Sequence, residues 1–297
     1  MQAAVTEEGT APRGLNQHGL GVALLLLSAM VFSTAGLFTK GVDAGSWSII
    51  FWRGLFAGLF TLAYLACRGR LRLEFATLGA SGWAIAIIGA VGSAIYIPAL
   101  KITSIANVTL IYAAVPLLAA AMAWAWISER PSRRVLLCCL AAFLGVLIIV
   151  QASLGAPELA GDLMALGMTA SLAAIMVIYR RFPDTPAAAP ALLMCVFLMP
   201  TALLFGEPFA ATYGEIGIMS AFGLVFAVAA VSLAEGARRV PAAEAGLLSA
   251  LEMPLAPLWA WLLLADLPPA DTWIGGGAIM AAVLYSQLER KPDAQRR

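Results

Sequence analysis

The feature of this sequence best placed to do chemistry is a carboxylate in the middle of an apolar run. Glu252 stands within LSALEMPLAP. An ionised side chain facing lipid there would be strongly disfavoured, so it must face a bundle interior or a hydrated cavity. In that setting it binds a cation or exchanges a proton; the plainer reading is a neutral carboxyl hydrogen-bonded into the packing. Pro254 and Pro257 follow closely, and each removes a backbone donor and disturbs the helix, turning carbonyls toward the same space. Glu244 lies eight residues earlier, about two helical turns, and can share a face with Glu252 on an unbroken helix.

Asn107 and Thr109 offer neutral polar groups that either hydrogen-bond a polar solute or hold one helix to another. Arg53, in FWRGL, has three readings: attraction of a solute carboxylate, pairing with an acid of the bundle, or extension of its charge to the outer interface along an apolar stem. Tyr96 and Tyr112 are candidates to narrow an external gate, with interface packing as the alternative. Pro116 is a further kink candidate. The remaining chemistry is sparse. No phosphate-binding GKS or GKT loop, HExxH metal motif or organised nucleophile occurs, and His18 is the only histidine. Cys67, Cys138, Cys139 and Cys195 lack metal-ligand or disulfide-framework spacing and read as small apolar residues. We therefore expect no enzyme activity, no metal and no cofactor.

The elements that must position these residues are membrane helices. Of 297 residues, 62% are hydrophobic and only 12% are charged, against roughly 25% charged in a soluble domain. The mean hydropathy is +0.90. Apolar runs long enough to cross a bilayer fall at 20–39, 47–67, 76–98, 104–127, 135–151, 160–179, 187–206, 213–234, 242–264 and 272–288. The fifth is short, and the eighth begins near Glu215. A backbone in lipid must satisfy its own hydrogen bonds, and no ten-residue alternation suggests a barrel, so the expected fold is all-α with ten transmembrane helices. Residues 1–17 and 291–297 are expected as cytoplasmic tails, and the first run is too long for a signal-peptide core. With the amino terminus inside, 15 basic residues face the cytoplasm, whereas only Lys40 and Lys101 lie outside and Arg53 lies within a span. A net charge of +1 with no basic surface implies no nucleic-acid partner. Lipid is the surrounding partner, and nothing in the sequence supports an oligomer.

The chain also compares with itself. LKITSIANVTLI (100–111) and ARRVPAAEAGLL (237–248) stand 137 positions apart. That offset also sets Trp124 on Trp261, Glu129 on Asp266 and Pro131 on Pro268, while an offset of 140 sets Gly21 on Gly161 and Lys40 on Arg180. Two five-span halves, 18–151 and 158–290, would enter the membrane from opposite sides. Inverted repeats of this kind supply two half-scaffolds that alternate about a central cavity. Gly54 and Gly58 have the spacing for close helix approach, and Gly275, Gly276 and Gly277 are read in the same way.

With ALKITSIANVTLIYAAVPLLAAAMAWAWISERP and ARRVPAAEAGLLSALEMPLAPLWAWLLLADLPP in view, the chain resembles the ten-span EamA-type members of the drug/metabolite transporter superfamily over about residues 18–290. In that pattern each fourth span carries a proline, a long apolar stretch and an acidic residue, here Pro116 and Glu129, then Pro254 and Asp266. Pro254 departs by one position, since Met253 is the counterpart of Pro116. The resemblance implies a secondary transporter in the plasma membrane (the bacterial inner membrane), exporting small organic metabolites, amino acids or toxic compounds by alternating access. Proton antiport and uniport both fit. A membrane scaffold is the alternative, and solute flux into vesicles holding only this protein separates the two.

Overall fold

A computed structural model describes residues 17–103, 105–151, 158–264 and 270–288. Both expected tails lie essentially outside these residues, as do Asp266 and Pro268. Every regular element is helical. In the first half these are α1 (Gln17–Phe32), α2 (Ala35–Lys40), α3 (Ser46–Cys67), α4 (Leu71–Ala76), α5 (Gly79–Ile102), α6 (Ile105–Tyr112), α7 (Val115–Ile127) and α8 (Arg133–Val150). In the second they are α9 (Leu159–Arg181), α10 (Ala188–Phe205), α11 (Tyr213–Ala237), α12 (Ala242–Ser249), α13 (Glu252–Leu264) and α14 (Ala270–Gln287), with one 3-10 turn at Pro208–Ala210.

Eight helical stretches among the described residues are long and apolar enough to cross a membrane. The fifth and tenth expected spans are present as α8 and α14, each of 18 residues, but are not among the eight. α8 opens on two arginines, and α14 carries Asp271 and three glycines. Glu215, the polar intrusion at the eighth run, is a local device. Thr212 caps α11 by accepting from the Glu215 amide, while the Glu215 carboxylate accepts from the Thr212 amide at 2.8 Å, satisfying two amides that the first turn leaves open.

The sequence repeat has a structural counterpart with the same offset. α6 and α7, moved by 137 positions, coincide with α12 and α13 at both ends of both helices. Each pair is one span interrupted by two residues, Ala113–Ala114 or Ala250–Leu251. Packing follows the exchange: α1 lies on α11 and α12, as α9 lies on α5 and α6. The glycine pair repeats as well. A Cβ on Gly21 would meet Val240, and one on Gly161 would meet Thr103, residues 137 positions apart. α3 packs on α10 and α8 on α14, each pair mapping onto itself. Glycines set these approaches. A Cβ on Gly58 would stand 3.4 Å from Leu192, and one on Gly275 would stand 2.2 Å from the Gly145 carbonyl oxygen.

One end of the bundle gathers Arg68, Arg70, Arg130, Arg133, Arg180, Arg181, Arg238 and Arg239; the other carries Asp43, Glu158, Asp162, Glu207 and Glu215. Lys40 and Lys101, the two basic residues expected there, have side chains outside the description. At the arginine-rich end Glu74 accepts from the amides of Ala188 and Ala189, 3.1 and 2.9 Å, and so caps α10. Arg238 donates to the carbonyls of Pro183 and Thr185. Glu235 pairs with both Arg238 and Arg239.

Candidate functional site

The exchange of halves fails most clearly where the interrupted spans face each other. α7 packs along α12, with Gly246 so close to Pro116 that a Cβ would stand 2.8 Å from the Pro116 Cα. The equivalent helices α6 and α13 have no comparable contact among the described residues. Burial follows the same division. All eight residues of α12 are buried, whereas Glu252 through Trp259 of α13 are each only half-buried. Two interrupted spans therefore meet in one half of the bundle and part in the other, leaving a cleft that narrows toward their interruptions.

Glu252 opens α13 at the narrow end of this cleft, and Tyr112 closes α6 opposite it. The Tyr112 hydroxyl is within hydrogen-bonding reach of the Glu252 carboxyl. Beneath them is a cavity of about 10 Å³ lined by Tyr112, Pro116, Gly246, Ser249 and Met253, roughly the room for one water. Tyr96, 40% exposed, lies within electrostatic range of Glu252 and Tyr112 on one side and Arg53 on the other. Four sequence candidates thus converge from α3, α5, α6 and α13. Interruption of the spans makes this possible, because a helix starting at Glu252 presents its first-turn side chain into the space that the missing turn vacates.

The other candidates are elsewhere. Glu244 and Glu252 lie on separate helices, on either side of the break at Ala250–Leu251. Glu244 is buried near the arginine-rich end, where His18 Nε2 lies 3.0 Å from its Oε1 and Gln287 donates to it at 3.1 Å. Asn107, its counterpart, donates to the Thr103 hydroxyl at 3.1 Å, and Thr103 donates to Asp162 at 2.8 Å. The two positions thus tie together opposite ends of the bundle. Thr109 is half-buried on α6, across the cleft. Pro116 and Pro254 each follow an interruption, whereas Pro257 lies inside α13.

Three side chains that were not singled out from sequence also contribute: Phe222, Phe226 and Ser33. Phe222 and Phe226 of α11 flank the Arg53 guanidinium, with its Cζ 5.4 and 4.4 Å from their ring centres. Ser33, in the break between α1 and α2, receives the Trp259 indole N–H at 2.8 Å, which ties α13 to that break. Glu129 receives Arg180 at 2.7 Å and the Ala242 amide at 3.1 Å. It thereby joins the ends of α7 and α9 to the start of α12, closing the bundle beneath the cleft.

Residues 19–151 and 159–287 each match the family described as EamA-like transporter family. No curated protein matches the chain. Among solved structures, a crystal structure of a protein 20% identical in sequence superposes with a TM-score of 0.77, over 90% of this chain and 96% of that one. At that identity the likeness concerns the fold.

Proposed function

The chain belongs to the EamA-like transporter family, and from that membership we propose that it carries a small organic solute across the plasma membrane by alternating access, in the export direction. The observation that carries the proposal is the broken exchange: α7 and α12 closed on each other, α6 and α13 apart. Two repeats able to take up each other's conformations would close the second pair and open the first, moving access from one side of Glu252 to the other. In our reading there are ten crossings, with α8 and α14 completing the eight, both termini are cytoplasmic and the arginine-rich end faces the cytoplasm. The present conformation is then open outward. Glu252 is the proton-exchanging group and Tyr112 its partner, so that proton entry drives solute exit.

Solute flux into sealed vesicles holding only the purified protein tests the function directly. Saturable, gradient-dependent flux is expected, and its absence across a broad metabolite panel defeats the proposal. The two added crossings have their own test. In a cysteine-free background, single cysteines at Arg130 and Leu288 should react with impermeant reagent from one side, and those at Glu158 and Ala270 from the other. Same-side reaction of Arg130 and Glu158 would remove α8 as a crossing.

Closure beneath the cleft makes a further prediction. Glu129→Ala removes an ion pair and a helix-capping acceptor together, a loss of about 1–2 kcal/mol favouring the closed end. The labelling rate of a Ser249→Cys probe from the arginine-rich side should then rise by about tenfold. An unchanged rate would show that Glu129 does not hold the closure.

A further inference from the structure

The guanidinium of Arg53 has no anionic partner among the described residues, and we propose that it receives the carboxylate of the transported solute, a small monoanionic acid with an apolar body. The inference rests on the transport reading and names the solute class for the same cleft.

Arg53 sits seven residues past Ser46, at the start of α3. A long cationic side chain there has an easy route to the nearby interface, but its head lies elsewhere. The Cζ stands 4.4 Å over Phe226, a residue 13 positions past the start of α11 and 11 before its end. The charge is therefore held at mid-helix depth. Its Nε is buried without a hydrogen-bond partner. No ion pair of the described residues includes it. Stacked rings steady the flat face of a guanidinium and attract its charge, but they accept none of its five N–H groups. A cation withdrawn from water without acceptors is disfavoured, so the arrangement calls for an anion from outside.

Geometry limits the alternatives. Glu252 does not serve, because no ion pair joins it to Arg53 and it is not among the groups whose charge acts on the guanidinium. A carboxylate meets the guanidinium fork through two parallel hydrogen bonds. A dianionic phosphoryl group fits poorly, since Arg53 is the one basic side chain of this cluster among the described residues and Glu252 faces the same cleft. The apolar body follows from the surroundings: Phe226 packs edge-on to Phe32 at 5.5 Å, and Phe222 stacks on Phe38 at 5.2 Å, forming an aromatic wall beside the charge.

The probes are 3-phenylpropanoate and 3-phenylpropanamide, which share a body and differ in the anionic group. Binding to the full-length purified protein is measured by equilibrium dialysis, and counterflow is measured in sealed vesicles. Wild type should hold the carboxylate at least about tenfold more tightly than the amide, as expected for charge-assisted hydrogen bonds. Arg53→Gln should abolish that preference with little change in melting temperature, and Arg53→Lys should keep part of it. Equal wild-type affinities, no carboxylate binding, or an undiminished preference in Arg53→Gln would each overturn the inference. Should Arg53→Gln fail to fold, the wild-type comparison and Arg53→Lys still decide. A carboxylate preference without flux of any solute would sustain the site and defeat transport; flux of neutral or cationic solutes with no such preference would do the reverse.

Discussion

Glu252→Gln is expected to reduce gradient-driven solute flux to the level of protein-free vesicles while leaving a folded, inserted protein. The substitution keeps the side chain's size and an oxygen for Tyr112, but removes the proton-exchanging group at the narrow end of the cleft. Carriers coupled through a carboxylate need that group to cycle between protonated and ionised forms in each turnover. Solute counterflow without a gradient requires only that loaded carriers reorient, so it should survive better than driven flux. The measurement is paired driven flux and counterflow in purified vesicles across pH, normalised to folded protein. Driven flux and pH dependence like those of wild type would remove Glu252 from the coupling scheme. Loss of both modes would move the residue from coupling to solute recognition, and solute binding would then distinguish that role from structural damage.

A second large effect is expected far from the cleft. Gly275→Leu places side-chain atoms where a Cβ alone would stand 2.2 Å from the Gly145 carbonyl oxygen and 2.6 Å from Ile149. The first obstacle is backbone, so neighbours cannot relieve the overlap by changing rotamer. Separating α8 from α14 should destabilise the protein by about 2–3 kcal/mol, lowering the thermal midpoint by about 5–10 °C. Gly277→Leu is the control, since nothing lies within 4 Å of a Cβ there, and its midpoint should remain within about 1 °C. Equal midpoints for the two variants would mean that the α8–α14 crossing tolerates separation, and the role given to Gly275 would fail.

Much of the architecture could be read in advance because membrane helices announce themselves by length and hydropathy, and the repeat by its offset. The 137-residue shift between LKITSIANVTLI and ARRVPAAEAGLL reappears as the shift between the interrupted spans. Prolines pointed toward two of the interruptions. The third, at Ser33–Thr34, has no proline: both hydroxyls turn back to carbonyls three residues earlier, at 2.7 Å. That competition with helical bonding is open to any serine or threonine and so leaves a weak mark in sequence. The cluster itself was legible only in parts. Glu252, Tyr112, Tyr96 and Arg53 each stood out by type and place, but their convergence depends on contacts across the two repeats. The face shared by Glu244 and Glu252 assumed an unbroken helix, and a break at Ala250–Leu251 falls between them. His18 gave no sign of its partner, because Glu244 lies 226 residues away.

The closed contact of Pro116 on Gly246 also bears on the relative populations of the two conformers. Under the 137-residue exchange, Pro116 becomes Met253 and Gly246 becomes Thr109. The opposite conformer would therefore have to seal a flexible thioether chain against a branched hydroxyl residue, where a rigid ring now rests on bare backbone. Immobilising methionine costs more side-chain entropy than immobilising proline, and threonine holds the helices farther apart than glycine. Duplicated scaffolding with unequal seals gives the empty carrier a resting bias toward the conformer with its α6–α13 cleft open, so loading from the opposite face begins against that bias.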